Sequence, residues 1–335
     1  MAENNSNINI LQNCQVLQNQ QFIDNTGYNP FSPNQNSNSN NNISQNQDPK
    51  NTNSNTNDTN NINKTDLNSN NPKIQRIESS EIRTNNEMAA EFENAIRQEI
   101  EQTTPLISEK LNIQILLDDY KSNEEYSNSI KIIAEKYKYI RKVRRDGNCF
   151  YRSFIYCLFE YICMKNDNVL YNHILKKIEE SKELTKKNGY QWIIVEDFYN
   201  VFYGEFCSCF NCLSSSGISV RDYLDNLFMD KEKGNYLIYF VRFCIAAYLK
   251  ENHLLYEVYV EGYFENWIQT EVEAIDHEAD QIQIMACVNY FDIGVKIEYL
   301  NKNQSEIVKL PHETPDNEFF IFLLFTPGHY DILYP

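Results

Sequence analysis

The 335-residue sequence has no excess of positive charge, no long apolar run and no leader-like start, and each absence removes a class of function. Acidic side chains number 47 against 30 Lys and Arg, a formal net charge of −17. A surface of that sign repels phosphate backbones and no local basic patch offsets it, so nucleic acid and anionic membranes are disfavoured as general partners. The most apolar helical stretch, Tyr236 to Leu249, is too short for a bilayer span and contains Arg242. The start, Met1-Ala2-Glu3-Asn4-Asn5, lacks a charged region followed by an apolar core. The expectation is a soluble intracellular protein of the cytoplasm, with the nucleus also open to it. Nine cysteines is an odd count for such a chain, and a reducing compartment favours free thiols over a disulfide framework. One of them is then a candidate nucleophile.

Asn supplies 25 of the first 71 residues, and apolar side chains there are too sparse to offset the entropy of ordering the backbone. Residues 1–78 are therefore expected to be a disordered tail, whose bland reading is compositional filler. The remaining 79–335, rich in Ile, Leu, Tyr and Phe, suffices for one well-buried domain. Thr84-Asn85-Asn86-Glu87 fits a capping box, and Met88, Phe92, Ile96 and Ile100 follow on one stripe. A helical arm over about 84–103, ending before Pro105, is predicted.

Further helices are expected through Tyr126, Ile130, Ile133 and Tyr137, from Cys149 through Tyr161, around Val195–Phe206 and Ser219–Leu227, and from Asn235 to Leu249. The stretch Asp280–Tyr290 fits strand or helix; the stripe of Ile284, Cys287, Val288 and Phe291 favours helix. Ile293, Val295, Ile297 and Tyr299 then alternate with polar or small residues, as in a half-buried strand. Phe319 to Phe325 is apolar throughout, as in a central strand covered on both faces, and His329 to Tyr334 reads as a last strand. Helices first and strands last make the fold class α+β, with no internal repeat.

Two segments carry chemistry. The loop Arg144-Arg145-Asp146-Gly147-Asn148 leads into Cys149 at the first turn of a buried helix. The partial positive charge of a helix start stabilises a thiolate, and the N–H groups of a Gly-containing loop can converge on an oxyanion. At the far end, His329 and Asp331 stand two apart on a strand and share a face, with Tyr330 on the other. A carboxylate so placed can take the Nδ1–H of the imidazole and turn Nε2 toward a thiolate. Each segment alone is weak, since Cys149 is one of nine thiols and any single His is more often satisfied locally. Together they make a cysteine-hydrolase triad.

The same residues resemble a family. Tyr139-Ile140-Arg141-Lys142, then Asp146-Gly147-Asn148-Cys149-Phe150-Tyr151-Arg152, and finally Pro327-Gly328-His329-Tyr330-Asp331-Ile332-Leu333-Tyr334 are similar to the otubains, the ovarian-tumour-type cysteine deubiquitinases. Pro105-Leu106-Ile107-Ser108-Glu109 ahead of them, and Glu196-Asp197-Phe198 and Glu271-Val272-Glu273 between them, match in order, so the likeness spans about residues 92 to 334. It implies a papain-like fold of the ovarian-tumour type, with a helical subdomain and a small central β-sheet. It also implies a thiol isopeptidase that cuts ubiquitin from lysine without metal or other cofactor. Carried over by position, Cys149 is the nucleophile, His329 the general base and acid, Asp331 the orienting carboxylate, and Asp146 the organiser of an oxyanion loop formed by Asp146, Gly147, Asn148 and Cys149. Arg145 departs from the pattern, since otubains commonly have Pro there, and a less rigid loop is the expectation.

Ubiquitin and polyubiquitin chains are the implied partners, with a ubiquitin-conjugating enzyme as a further one through the arm at 84–103. The rival reading is a non-catalytic regulator that binds ubiquitin or a conjugating enzyme. A cysteine hydrolase acting on a ubiquitin-like modifier is a third. The family pattern is silent on Cys207, Cys209 and Cys212. Zinc would need a fourth ligand, which only the fold could bring from His253 or Cys244, so incidental thiols in a loop are the expectation.

Overall fold

The computed structural model describes residues 88, 91–92, 94–96, 98–215, 219–300, 305–310 and 319–335. The tail at 1–78 and the capping box at Thr84 to Glu87 lie outside them. The described residues from 96 onward form one compact unit, and those at 88–95 belong to a second. In the second unit, residues 88, 91, 92, 94 and 95 are helical, and Met88 and Phe92 are 63% and 68% exposed.

The large unit is built around a six-stranded sheet. In chain order its strands are β1 (Leu111–Asn112), β2 (Tyr139–Arg141), β3 (Gly294–Leu300), β4 (Ser305–Leu310), β5 (Phe320–Thr326) and β6 (His329–Tyr334). They lie side by side as β1-β2-β6-β5-β3-β4. All neighbours are antiparallel except β3 and β5. The longer helices are α1 (Ser127–Lys136), α2 (Cys149–Lys165), α3 (Asn168–Lys187), α4 (Trp192–Ser215), α5 (Val220–Met229), α6 (Lys231–Glu251) and α7 (Gln281–Phe291).

Strand period separates two cores. Ile321 and Leu323 of β5, with Tyr330 and Ile332 of β6, face the main core around α2. Phe322 and Leu324, with Leu333, face a smaller one under α1, where Ile130 and Ile133 are buried. The unbroken apolar run of β5 is thus a strand covered on both faces, as its composition predicts. Helix α2 has no polar face because β5 and β6 lie on one side and α4, α5 and α6 on the others. α7 is a helix, started by a reciprocal capping box between Asp280 and Gln283, which resolves the ambiguity of that stretch.

Several features differ from expectation, and the strands β1, β2 and β4 are among them. α3 was not predicted, because its buried face passes from Ile174 and Ile178 to Ser181 and Thr185. Those hydroxyls donate to carbonyls within the helix, so an apolar stripe is not needed to bury them. Cys207, Cys209 and Cys212 lie in α4 and not in a loop. Cys209 is bonded to Cys163 of α2, so the expectation of free thiols throughout fails at this pair. Cys149, Cys157, Cys207, Cys244 and Cys287 are free. Among the described residues no group of three or more His, Cys, Asp or Glu is placed to hold a metal ion. No described helix is long and apolar enough to cross a membrane.

Candidate active site

The turn Thr326-Pro327-Gly328 closes the hairpin of β5 and β6, so that Thr326 pairs with His329 and Leu324 with Asp331. β6 lies between β5 and β2, which buries its first residues: His329 is 3% and Asp331 5% exposed. His329 Nε2 donates to Asp331 Oδ1 at 2.9 Å. The same-face prediction holds, but the ring nitrogens are exchanged relative to it. Residues i and i+2 of a strand stand roughly 7 Å apart, so the far nitrogen of the ring is the one that reaches the carboxylate. Nδ1 is buried without a hydrogen-bond partner among the described residues.

Asp331 Oδ1 also accepts from the Val143 N–H at 2.8 Å, and Lys142 Nζ stands 3.9 Å from Oδ2. Burial alone would raise the pKa of this carboxyl. The hydrogen bond and charge of His329, the charge of Lys142 and the Val143 N–H outweigh it and hold the group below its ordinary value. Asp331 therefore stays an anion and fixes the imidazole with a proton on Nε2.

Cys149 opens α2 beside the start of β6, and the Phe150 and Tyr330 rings meet edge to face at 5.7 Å. The thiol is 2% exposed. Burial pushes its pKa up to about 12, helped by Asp146 and Glu278, while the Tyr330 backbone N–H and Arg152 act in the other direction. The helix-start argument predicts a lowered value, and desolvation overrides it here. A thiolate at neutral pH then depends on transfer of the proton to a base.

The loop before Cys149 is held by charge from several directions. Asp146 takes two hydrogen bonds from Arg152, at 2.9 and 2.7 Å, and a third from the Asn148 N–H at 3.1 Å. The Asp146 N–H donates to Arg144 O at 3.1 Å. Two of the four N–H groups expected to face an oxyanion are therefore used within the loop, while those of Gly147 and Cys149 have no hydrogen-bond partner among the described residues.

Arg242, fully buried in α6, reaches Asn148 Oδ1 at 2.9 Å, Gly147 O at 3.3 Å, His277 O at 2.6 Å and Val272 O at 3.0 Å. Its guanidinium lies over the Tyr151 ring, 4.0 Å from the centroid. Asn148 Nδ2 donates to Asp276 Oδ1 at 2.8 Å, which joins the loop to the segment before α7. Gly147 has φ +75°, and a Cβ there would lie 2.1 Å from Asp276 O, so no larger residue fits. Glu278, from the same segment, comes so near Gly328 that a Cβ on that glycine would meet its Oε1 at 2.8 Å.

Arg152, Arg242, Asp276 and Glu278 were not singled out as site residues from the sequence. For Arg242 a signal existed. A lone guanidinium inside the most apolar helix of the chain must find acceptors, and two of its four, Gly147 O and Asn148 Oδ1, belong to the loop before Cys149. Arg152 stands one helical turn after Cys149, a spacing that sets the two side by side, while for Asp276 and Glu278 no spacing rule links them to Cys149. The Arg145 departure also turns out differently, since its guanidinium donates to Thr326 Oγ1 at 2.9 Å and Pro327 O at 3.4 Å, tying the loop that proline's absence was expected to loosen.

Comparison with known proteins agrees with this arrangement. The family model Peptidase C65 Otubain matches residues 99–335. The human protein "Ubiquitin thioesterase OTUB1" is 32% identical over 246 residues, covering 72% of this chain and 88% of its own. The Arabidopsis thaliana "OVARIAN TUMOR DOMAIN-containing deubiquitinating enzyme 1" is 27% identical over 266 residues, with 74% and 86% covered. A solved complex of OTUB1 with ubiquitin aldehyde and UBCH5B~Ub has a TM-score of 0.67 at 24% identity, covering 75% of this chain and 98% of that one, and shares the fold. A buried Asp–His pair beside a helix-start cysteine, in a chain matched over 237 of its residues, has one consistent reading: the chain belongs to the otubain family of C65 peptidases.

Proposed function

We propose that this chain is a thiol-dependent deubiquitinating peptidase that hydrolyses the isopeptide bond between the ubiquitin C-terminus and a lysine. The observation that carries the reading is the His329 ring, anchored through Nε2 on Asp331 with its other nitrogen bare, on the strand against which Cys149 opens its helix. Nδ1 takes the Cys149 proton and the sulfur attacks the scissile carbonyl carbon. The N–H groups of Gly147 and Cys149 hold the oxyanion, while Asp146, locked by Arg152, keeps the loop in shape. His329 returns the proton to the leaving lysine amine. A water then hydrolyses the thioester, with His329 acting as base again.

The substrate class rests on likeness to the named ubiquitin thioesterases. The partners follow from the solved relatives, which are complexes with ubiquitin aldehyde and with UBCH5B~Ub or UBC13~Ub. Ubiquitin, its chains and a ubiquitin-conjugating enzyme are therefore the partners we propose here. A purely binding role has no observation in its favour, because Cys149, His329 and Asp331 are all present at the site.

The test is turnover of ubiquitin carrying a fluorogenic C-terminal amide, and of diubiquitin, by the full chain. Wild type should cleave, and Cys149→Ala and His329→Ala should each lose all but a trace. Undiminished turnover by Cys149→Ala would overturn the proposal.

A further inference from the structure

We propose that Arg145 is a positioning residue that couples the nucleophile's loop to the hairpin turn carrying His329. The inference rests on the catalytic reading above and concerns how the two halves of that site are kept in register.

The segment Val143 to Arg145 grips the β5–β6 hairpin at two points. The Val143 N–H holds the Asp331 carboxylate at 2.8 Å. Two residues on, Arg145 Nη2 donates to Thr326 Oγ1 at 2.9 Å and Nη1 to Pro327 O at 3.4 Å. Thr326 is the residue paired across the hairpin with His329, so the guanidinium fixes the strand position opposite the catalytic imidazole. Asp146, the next residue, begins the oxyanion loop. A shift of the turn relative to this segment therefore changes the separation of Cys149 and His329 directly.

Planar guanidinium geometry suits the task, because a fork with two N–H donors fixes direction as well as distance, which a lysine ammonium does not. Glu278 lies beside Gly328 of the same turn, and the charges of Arg145 and His329 both act on its carboxyl. Arg145 itself is exposed, so its removal takes little from the core. Exposed polar contacts of this kind add little to folding stability. Misplacement of reacting groups by an ångström costs rate far more steeply. The expected signature is thus kinetic: a loss in kcat without a matching loss in stability or substrate binding.

The experiment measures kcat, KM and Tm with fluorogenic ubiquitin amide for wild type, Arg145→Ala, Arg145→Lys, Thr326→Val and the Arg145→Ala/Thr326→Val double variant. Arg145→Ala should lower kcat about tenfold, with KM within about twofold and Tm within about 2 °C of wild type. Thr326→Val, which removes the acceptor and keeps the shape, should lower kcat about threefold, and Arg145→Lys should fall between wild type and Arg145→Ala. The double variant should be no slower than Arg145→Ala, because the contact that Thr326→Val breaks is one of those that Arg145→Ala already removes. Unchanged kcat in Arg145→Ala, an effect confined to KM, or full multiplication of the two single losses would each overturn the coupling. An inactive wild type whose Cys149 also ignores a ubiquitin electrophile would instead refute the catalytic reading on which it stands.

Discussion

The two halves of the site are held in different ways. His329 and Asp331 are placed by a strand: the period of two puts them on one face, the hairpin register sets their depth, and one local hydrogen bond joins them. The Asp146–Cys149 loop is placed by side chains from remote parts of the chain, Arg242 from α6 and Asp276 from the segment before α7, with Arg152 closing it from α2. A site half built on backbone pairing tolerates loss of a side chain as a kinetic event. One built on a buried guanidinium fails in stability and rate together.

That contrast is broken most severely at Arg242. Arg242→Met should cost about 3 kcal/mol of stability, because the carbonyls of Gly147, Val272 and His277 and the Asn148 amide lose a charged donor in a buried place. Turnover should fall at least a hundredfold at the same time. Chemical denaturation and kinetics on one preparation check both, and a variant of normal stability would show that the loop does not depend on α6.

Asp331→Asn should instead be chiefly kinetic. The amide Oδ1 can still accept from the Val143 N–H and from Nε2–H, but it lacks the negative charge that stabilises the imidazolium formed when Nδ1 takes the thiol proton, and kcat should drop about a hundredfold or more. Because the fold holds the Asp331 carboxyl below its ordinary value, the carboxylate adds stability above that value. The contribution is lost as pH falls through the native value. The variant should therefore show a flatter decline in stability below about pH 4, read from denaturation midpoints across that range.

A smaller effect sharpens the electrostatic difference. With its thiol pushed up to about 12, Cys149 should react slowly with iodoacetamide at pH 7, more slowly than the partly exposed Cys207. Its rate should climb about tenfold per pH unit through pH 9 without levelling. A plateau below pH 8 would reveal a thiolate already formed. The smallest effect is expected from deleting residues 1–78, which should leave turnover and Tm nearly unchanged, since few apolar groups are lost.

The same contrast explains what could be read from the sequence. The His329–Asp331 face, the helix begun by Cys149 and the two-sided strand β5 follow from local periodicity, and the structure has all three. What was not legible depends on distance along the chain. The Cys163–Cys209 pairing joins residues 46 apart, and Arg242 meets a loop 94 residues away. The exchange of imidazole nitrogens follows from the roughly 7 Å between residues i and i+2 of a strand, whereas the raised thiol follows from how deeply the start of α2 is buried, which no spacing discloses. α3 escaped because a helix whose polar groups are satisfied internally does not display an apolar stripe.

The central claim, that one cysteine among nine does the chemistry on ubiquitin, is tested most directly by a ubiquitin whose C-terminus carries an electrophile, followed by mass mapping of the adduct. The account predicts a single covalent adduct at Cys149, formed by wild type and lost in His329→Ala. An adduct at Cys207 or any other thiol, or no adduct with an intact fold, would contradict it.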